Sequence, residues 1–161
     1  MMLGVVASDG KAMPPIWIDR GAKVDSAVYI EQLKKVKKWL DDTYGDQSYV
    51  FQQDGAPSHT SEETQAWMDE NFKEYWTWEM WPPYSPDLNP LDYSVWGYVE
   101  SRACANPHPN TSALQKAVEK AWSELLTEEY VRKTCAVFWD RVQRMIDAKG
   151  RNFEPRSPKK K

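Results

Sequence analysis

Residues 81–93 read Trp-Pro-Pro-Tyr-Ser-Pro-Asp-Leu-Asn-Pro-Leu-Asp-Tyr. Pro82, Pro83, Pro86 and Pro90 fix φ along this loop and remove backbone donors. A strand entering it must stop, and a helix can begin only at its far end. Thr77–Trp81 is therefore read as a strand halted by Pro82-Pro83, and a helix is expected from Leu91 through Trp96 and Val99 towards Arg102. Asp92 falls in the first turn of that helix, where the N-terminus favours a negative charge and the side chain can turn back towards a sheet edge. Asp87 is expected to hold the loop by accepting backbone N–H bonds, as an aspartate ahead of a turn does. Asn89 is expected to orient Asp92 or the loop.

A second informative stretch lies upstream, Phe51-Gln52-Gln53-Asp54-Gly55-Ala56-Pro57-Ser58-His59-Thr60. Tyr49–Gln52 is β-favouring and delivers Asp54 at a strand exit that Gly55 and Pro57 make sharp. Taken alone, Asp54 reads as a cap on the turn ahead of the next helix. The second stretch alters that balance, because carboxylates held at strand ends can share divalent cations and direct a water or hydroxyl at a phosphodiester. His59 is expected to be hydrogen-bonded near the strand exit in a structural role rather than to ligate metal.

Working outward, Met2–Ala7 and Ala12–Ile18 are apolar runs joined by Ser8-Asp9-Gly10-Lys11, and an Asp-Gly pair in that position predicts a hairpin. Asp25-Ser26 caps a helix from about Ala27 to Thr43, with Tyr29, Ile30, Leu33, Val36 and Leu40 at helical spacing. Ser61 caps a short amphipathic helix carrying Thr64, Trp67, Met68 and Phe72. Beyond a break at 106–110, Thr111 or Ser112 caps a helix through Leu125. Thr127 opens another, through Val131, Cys135, Phe138, Val142 and Ile146 to Gly150. Hairpin, helix, strand, helix, strand and then helices make a mixed α/β domain, its later strands parallel and covered by helices.

Composition excludes several classes. At 161 residues the chain is most simply one domain, with 41% hydrophobic and 28% charged residues. Its net charge of −3 is not that of a basic nucleic-acid binder. Lys34, Lys35, Lys37 and Lys38 read as a solvated helix face. Lys159, Lys160 and Lys161, after Arg156-Ser157-Pro158, read as part of a basic, disordered tail over 154–161. Nine Trp include the cluster Trp76, Trp78 and Trp81, read chiefly as packing; Trp81 and Tyr84 are the aromatics placed to lie beside DNA. Two cysteines, Cys104 and Cys135, and two histidines, His59 and His108, supply neither a disulfide framework nor a zinc site. No signal peptide is visible and no apolar run approaches the roughly 20 residues that span a bilayer, so no membrane partner is expected.

Q-D-G-A-P-x-H followed by P-x-S-P-D-L-N-P-x-D-Y-x-x-W resembles the catalytic domain of mariner-type transposases, of the DDE/D superfamily, over the chain to about Phe153. The resemblance implies a ribonuclease H-like mixed sheet flanked by helices over residues 1–153. It also implies three acids holding two Mg²⁺ (or Mn²⁺) ions, Asp54 matching the second and Asp92 the third. Residues 55–91 separate the two, 37 positions, similar to the branch whose third acid is Asp. The family's first acid lies on the first strand of the sheet, and Asp9, Asp19, Asp25, Asp41 and Asp42 are not placed to replace it. The chain is thus expected to be a catalytic domain incomplete at its N-terminal strand, without the helix-turn-helix region that reads transposon ends, and inactive alone. The complete form would cleave and join DNA at transposon ends and target. The resemblance admits a homodimer and implies the nucleus. A non-catalytic, transposon-derived DNA-binding or oligomerising protein is the alternative. A hydrolase of RNA hybrids would share the fold but not the S-P-D-L-N-P loop.

Overall fold

Met2–Leu3 (β1) pairs antiparallel with Ile16–Trp17 (β2), Met2 opposite Trp17 and Leu3 opposite Ile16. The computed structural model describes residues 1–19, 21–151 and 153, so the expected tail over 154–161 lies outside the described residues. The described residues fall into two compact units: Met1–Val5 with those of Pro15–Ser85, and Val6–Pro14 with those from Pro86 onward.

The first unit is built on Ser26–Tyr44 (α1), whose first turn is capped by Asp25 Oδ1 accepting from Val28 N at 3.0 Å. Tyr29, Leu33, Val36 and Leu40 recur at helical spacing and are all buried, the pattern of one apolar stripe facing a core. Pro57–Thr60 (α2) opens with proline at its first position, and Glu62–Asn71 (α3) is capped by Ser61 Oγ accepting from Thr64 N. Both pack on α1. Met68 and Phe72 complete the core, with the Phe72 ring stacked on Phe51 at 4.8 Å.

The expected sheet is only partly formed. Among the described residues it consists of the β1–β2 pair and two isolated bridges, Val6 with Ala12 antiparallel and Phe51 with Tyr75 parallel. Phe51 N donates to Glu74 O at 3.0 Å and Trp76 N donates to Phe51 O at 2.9 Å. The strand expected over Thr77–Trp81 is replaced by a 3₁₀ turn at Trp78–Met80. Gln65 Oε1, from α3, takes the Trp78 N–H, and the prolines at 82 and 83 have none to offer a ladder.

In the second unit, the hairpin tip carries Gly10 at φ 104, where an added Cβ would stand 2.7 Å from Glu128 O. Pro86–Leu88 forms a 3₁₀ turn and Leu91–Val95 a π-helical turn, followed by Trp96–Ala103 (α4). Thr111–Leu125 (α5) packs on α4, capped by Asn110 rather than by Thr111 or Ser112, its Oδ1 accepting from Ala113 N at 2.9 Å. The single helix expected after Thr127 is two, Glu128–Ala136 (α6) and Phe138–Asp147 (α7). Val137 between them departs from helical geometry, and α7 is tied instead to the loop before α4, where Arg141 Nη1 donates to Asp87 O at 2.8 Å. Leu88, Val95, Val99, Ala121, Trp122 and Val131 form the core of this unit.

Candidate active site

Asp54 follows the Phe51 bridge by three residues. Its Oδ1 accepts from Ala56 N at 3.0 Å, closing an Asx-type turn, and lies 2.7 Å from His59 Nδ1. Among the described residues Oδ2 accepts no hydrogen bond. The His59 hydrogen bond is the main influence holding the Asp54 carboxyl below the usual carboxylate range. Partial burial opposes it; the His59 charge and the Ala56 N–H act with it. The side chain of Asp54 is 42% exposed and that of His59 17%, so the carboxylate is reachable while the imidazole behind it is shielded. The turn-capping role and a ligand role are therefore compatible, one oxygen serving each.

His59 is itself held from several sides. Its ring stacks on Tyr29 with centroids 4.1 Å apart and planes at 27°. Its carbonyl accepts from Gln53 Nε2 at 3.1 Å and Gln65 Nε2 at 2.8 Å. Tyr29 and Gln65 are site residues that sequence reasoning missed. Tyr29 carried only the signal of a core position on α1, and nothing along the chain links it to residue 59.

Asp92 is exposed, at the second position of the π-helical turn, with its N–H donating to Asn89 O at 2.9 Å. That turn closes through Trp96 N on Leu91 O, an insertion of the kind that recurs at functional sites. Asn89 shapes the entry: its Oδ1 accepts from Leu91 N at 3.0 Å, and its carbonyl takes the N–H of both Asp92 and Tyr93. Among the described residues no backbone N–H donates to the Asp87 carboxylate. Asp87 instead anchors the loop through its main-chain carbonyl, on Arg141. The Arg141 guanidinium also lies 3.8 Å from the Tyr93 ring centroid, a cation–π contact. Of the two aromatics considered for DNA, Trp81 is buried and Tyr84 is 99% exposed.

The structure thus brings His59 to Asp54, and Asn89 to the backbone of Asp92. The first pair belongs to the first unit and the second to the other. Among the described residues no three His, Cys, Asp or Glu side chains form a group that could hold a metal ion, and no helix is long and apolar enough to cross a membrane.

Comparison with known proteins gives a consistent picture. Residues 1–115 match the family described as DDE superfamily endonuclease. The Tcb2 transposase of Caenorhabditis briggsae is 29% identical over 128 residues, 79% of this chain and 45% of that protein. The Tc1 transposase of Caenorhabditis elegans is 32% identical over 102 residues, 63% of this chain and 36% of that protein. The chain spans less than half the length of these relatives. Among solved structures, the Mos1 transposase catalytic domain with Raltegravir and Mn matches at a TM-score of 0.78 and 20% identity, covering 91% of this chain and 74% of that one. The Mos1 paired-end complex with the left transposon end matches at 0.80 and 20%, covering 95% and 44%. At such identity the likeness shows the fold, which is ribonuclease H-like as expected.

Proposed function

The chain belongs to the DDE superfamily endonucleases, and from that premise we propose that it carries part of the catalytic centre of a Tc1/mariner-type cut-and-paste transposase. The observation that carries this reading is the Asp54 carboxylate, with Oδ1 anchored by His59 and Ala56 and Oδ2 left without a hydrogen bond from the described residues. Asp54 and Asp92 are assigned as cation ligands, since carboxylate oxygens are the donors that hard divalent ions select. Mos1 structures with Mn and with Mg support Mg²⁺ or Mn²⁺ as the ions. What two such ions supply when bound is Lewis acidity, raising the acidity of an attacking water or 3′-hydroxyl and stabilising the leaving oxygen.

The chain's own residues bind and orient. Asp54 and Asp92 present oxygens, His59 holds the Asp54 carboxyl below its usual range and orients it, and Asn89 sets the turn on which Asp92 rides. Asp87 ties that turn to α7 through its carbonyl. Asp54 and Asp92 are too few carboxylates to saturate two cations, so these 161 residues alone are expected to be inert on DNA. The partners of the whole protein are transposon-end and target DNA, and its compartment is the nucleus. The DNA-binding alternative gains nothing from α1, where Lys34, Lys37 and Lys38 are paired with Glu31, Asp41 and Asp42.

Mn²⁺ binding followed by electron paramagnetic resonance tests this. Asp54→Asn and Asp92→Asn should each weaken binding, and plasmid incubated with the chain and Mg²⁺ or Mn²⁺ should stay uncut. Binding indifferent to both substitutions would defeat the ligand assignment. Robust cleavage lost in Asp54→Ala would defeat the expected inertness. DNA binding that ignores metal and survives Asp92→Ala would favour the alternative.

A further inference from the structure

We infer that Tyr29, on the buried face of α1, is a positioning residue that aims the Asp54 carboxylate by clamping His59. The inference rests on Asp54 being a cation ligand only for its consequence, not for its geometry. Two routes lead from Tyr29 to Asp54. The first is the ring, stacked at 4.1 Å and 27° on the His59 imidazole. A near-parallel stack restricts rotation of the imidazole about its own bond, and so fixes the direction in which Nδ1 meets Asp54 Oδ1 at 2.7 Å. The second is the hydroxyl, which donates to Gln53 Oε1 at 2.7 Å. Gln53 then turns its Nε2 towards the His59 carbonyl at 3.1 Å, beside Gln65 at 2.8 Å. Side chain and main chain of His59 are thereby held by the same tyrosine.

A phenylalanine would fill the core equally well, yet the position carries a hydroxyl, and at 3% exposure that hydroxyl must have a partner. Burial first, and the Asp54 charge second, push the Tyr29 hydroxyl pKa up, so the group remains a donor throughout the working range. Asp54 also accepts from Ala56 N on the same oxygen. With Oδ1 held between Ala56 N and His59 Nδ1, which also lies 3.3 Å from the Asp54 carbonyl, the carboxylate is tied to two groups and Oδ2 is turned away from both. Loosening His59 removes one of the two and lets the carboxylate turn about the other.

The test combines a signal that needs no metal with one that does. In the wild type, the His59 Nδ1–H shielded under Tyr29 should give a downfield, slowly exchanging proton resonance, assigned by its loss in His59→Gln. Tyr29→Leu should broaden it into solvent exchange and weaken Mn²⁺ binding about tenfold, the scale of outer-shell ligand support. Tyr29→Phe, keeping the stack but losing the bond to Gln53, should retain the resonance with faster solvent exchange. An unchanged resonance and unchanged Mn²⁺ affinity in folded Tyr29→Leu would overturn the inference. Should Tyr29→Leu fail to fold, half-buried Gln53→Met replaces it: a broadened resonance supports the clamp and an unaltered one overturns it. If wild type shows no Asp54-dependent Mn²⁺ binding, the ligand assignment fails, while the resonance still decides on the clamp.

Discussion

At Asp54, Ala56 N and His59 Nδ1 both stand at one carboxylate oxygen, 3.0 and 2.7 Å away. The hydrogen bond from His59 does most to keep the carboxyl below its ordinary range. The sign of the pH effect follows. A depressed carboxyl contributes stability that is complete above the unfolded-state value of about 3.9 and is lost as pH falls through the lower folded value. His59→Ala lacks that contribution at every pH. Urea midpoints of the wild type and His59→Ala, measured from about pH 6 down to about pH 3, should therefore converge on acidification. Curves that stay parallel would show that the His59 pair does not set the Asp54 carboxyl. Asp54 was legible in the sequence because the Asp-Gly-Ala-Pro-x-His pattern is contiguous. Tyr29 was not, because its bond to Gln53 spans 24 residues of chain.

Elements show the same division. Asp25, Ser61 and Thr127 cap their helices as expected, since a cap needs only its own side chain and the N–H groups two or three residues on. The 3₁₀ turn at Trp78–Met80, the π-helical turn at Leu91–Val95 and the break at Val137 were not legible. Residues 77–81 are rich in β-favouring types, but propensity yields where a side chain from another element satisfies the backbone. Tertiary hydrogen bonds are also what anchor α5. Trp122 is 3% exposed and its Nε1–H donates to Met13 O at 2.9 Å. Trp122→Phe keeps most of the buried area but strands that carbonyl, and should cost about 1–3 kcal/mol. Denaturant unfolding checks this, and a loss near zero would mean that Met13 O finds another donor.

For the whole molecule, charge sets the expectation for DNA. The net charge is −3, and on α1 Lys34, Lys37 and Lys38 are met by acids on the same helix while Lys35 donates to Gln32. Replacing Lys34 and Lys38 by Gln should leave any DNA mobility shift, and its salt dependence, unchanged. A fall of about 0.9 in the log–log salt slope per lysine would mark them as phosphate contacts after all. The amino-acid sequence on its own determined the mixed α/β class, the hairpin and the helix caps at Asp25, Ser61 and Thr127, because each is written in neighbouring residues through proline and glycine geometry, capping and apolar spacing. Only the tertiary structure decided how little regular ladder forms, where helices wind or break, and which side chains stand behind Asp54. Those outcomes depend on groups that meet only once the chain has folded, when distant donors compete for the same backbone and carboxylate oxygens.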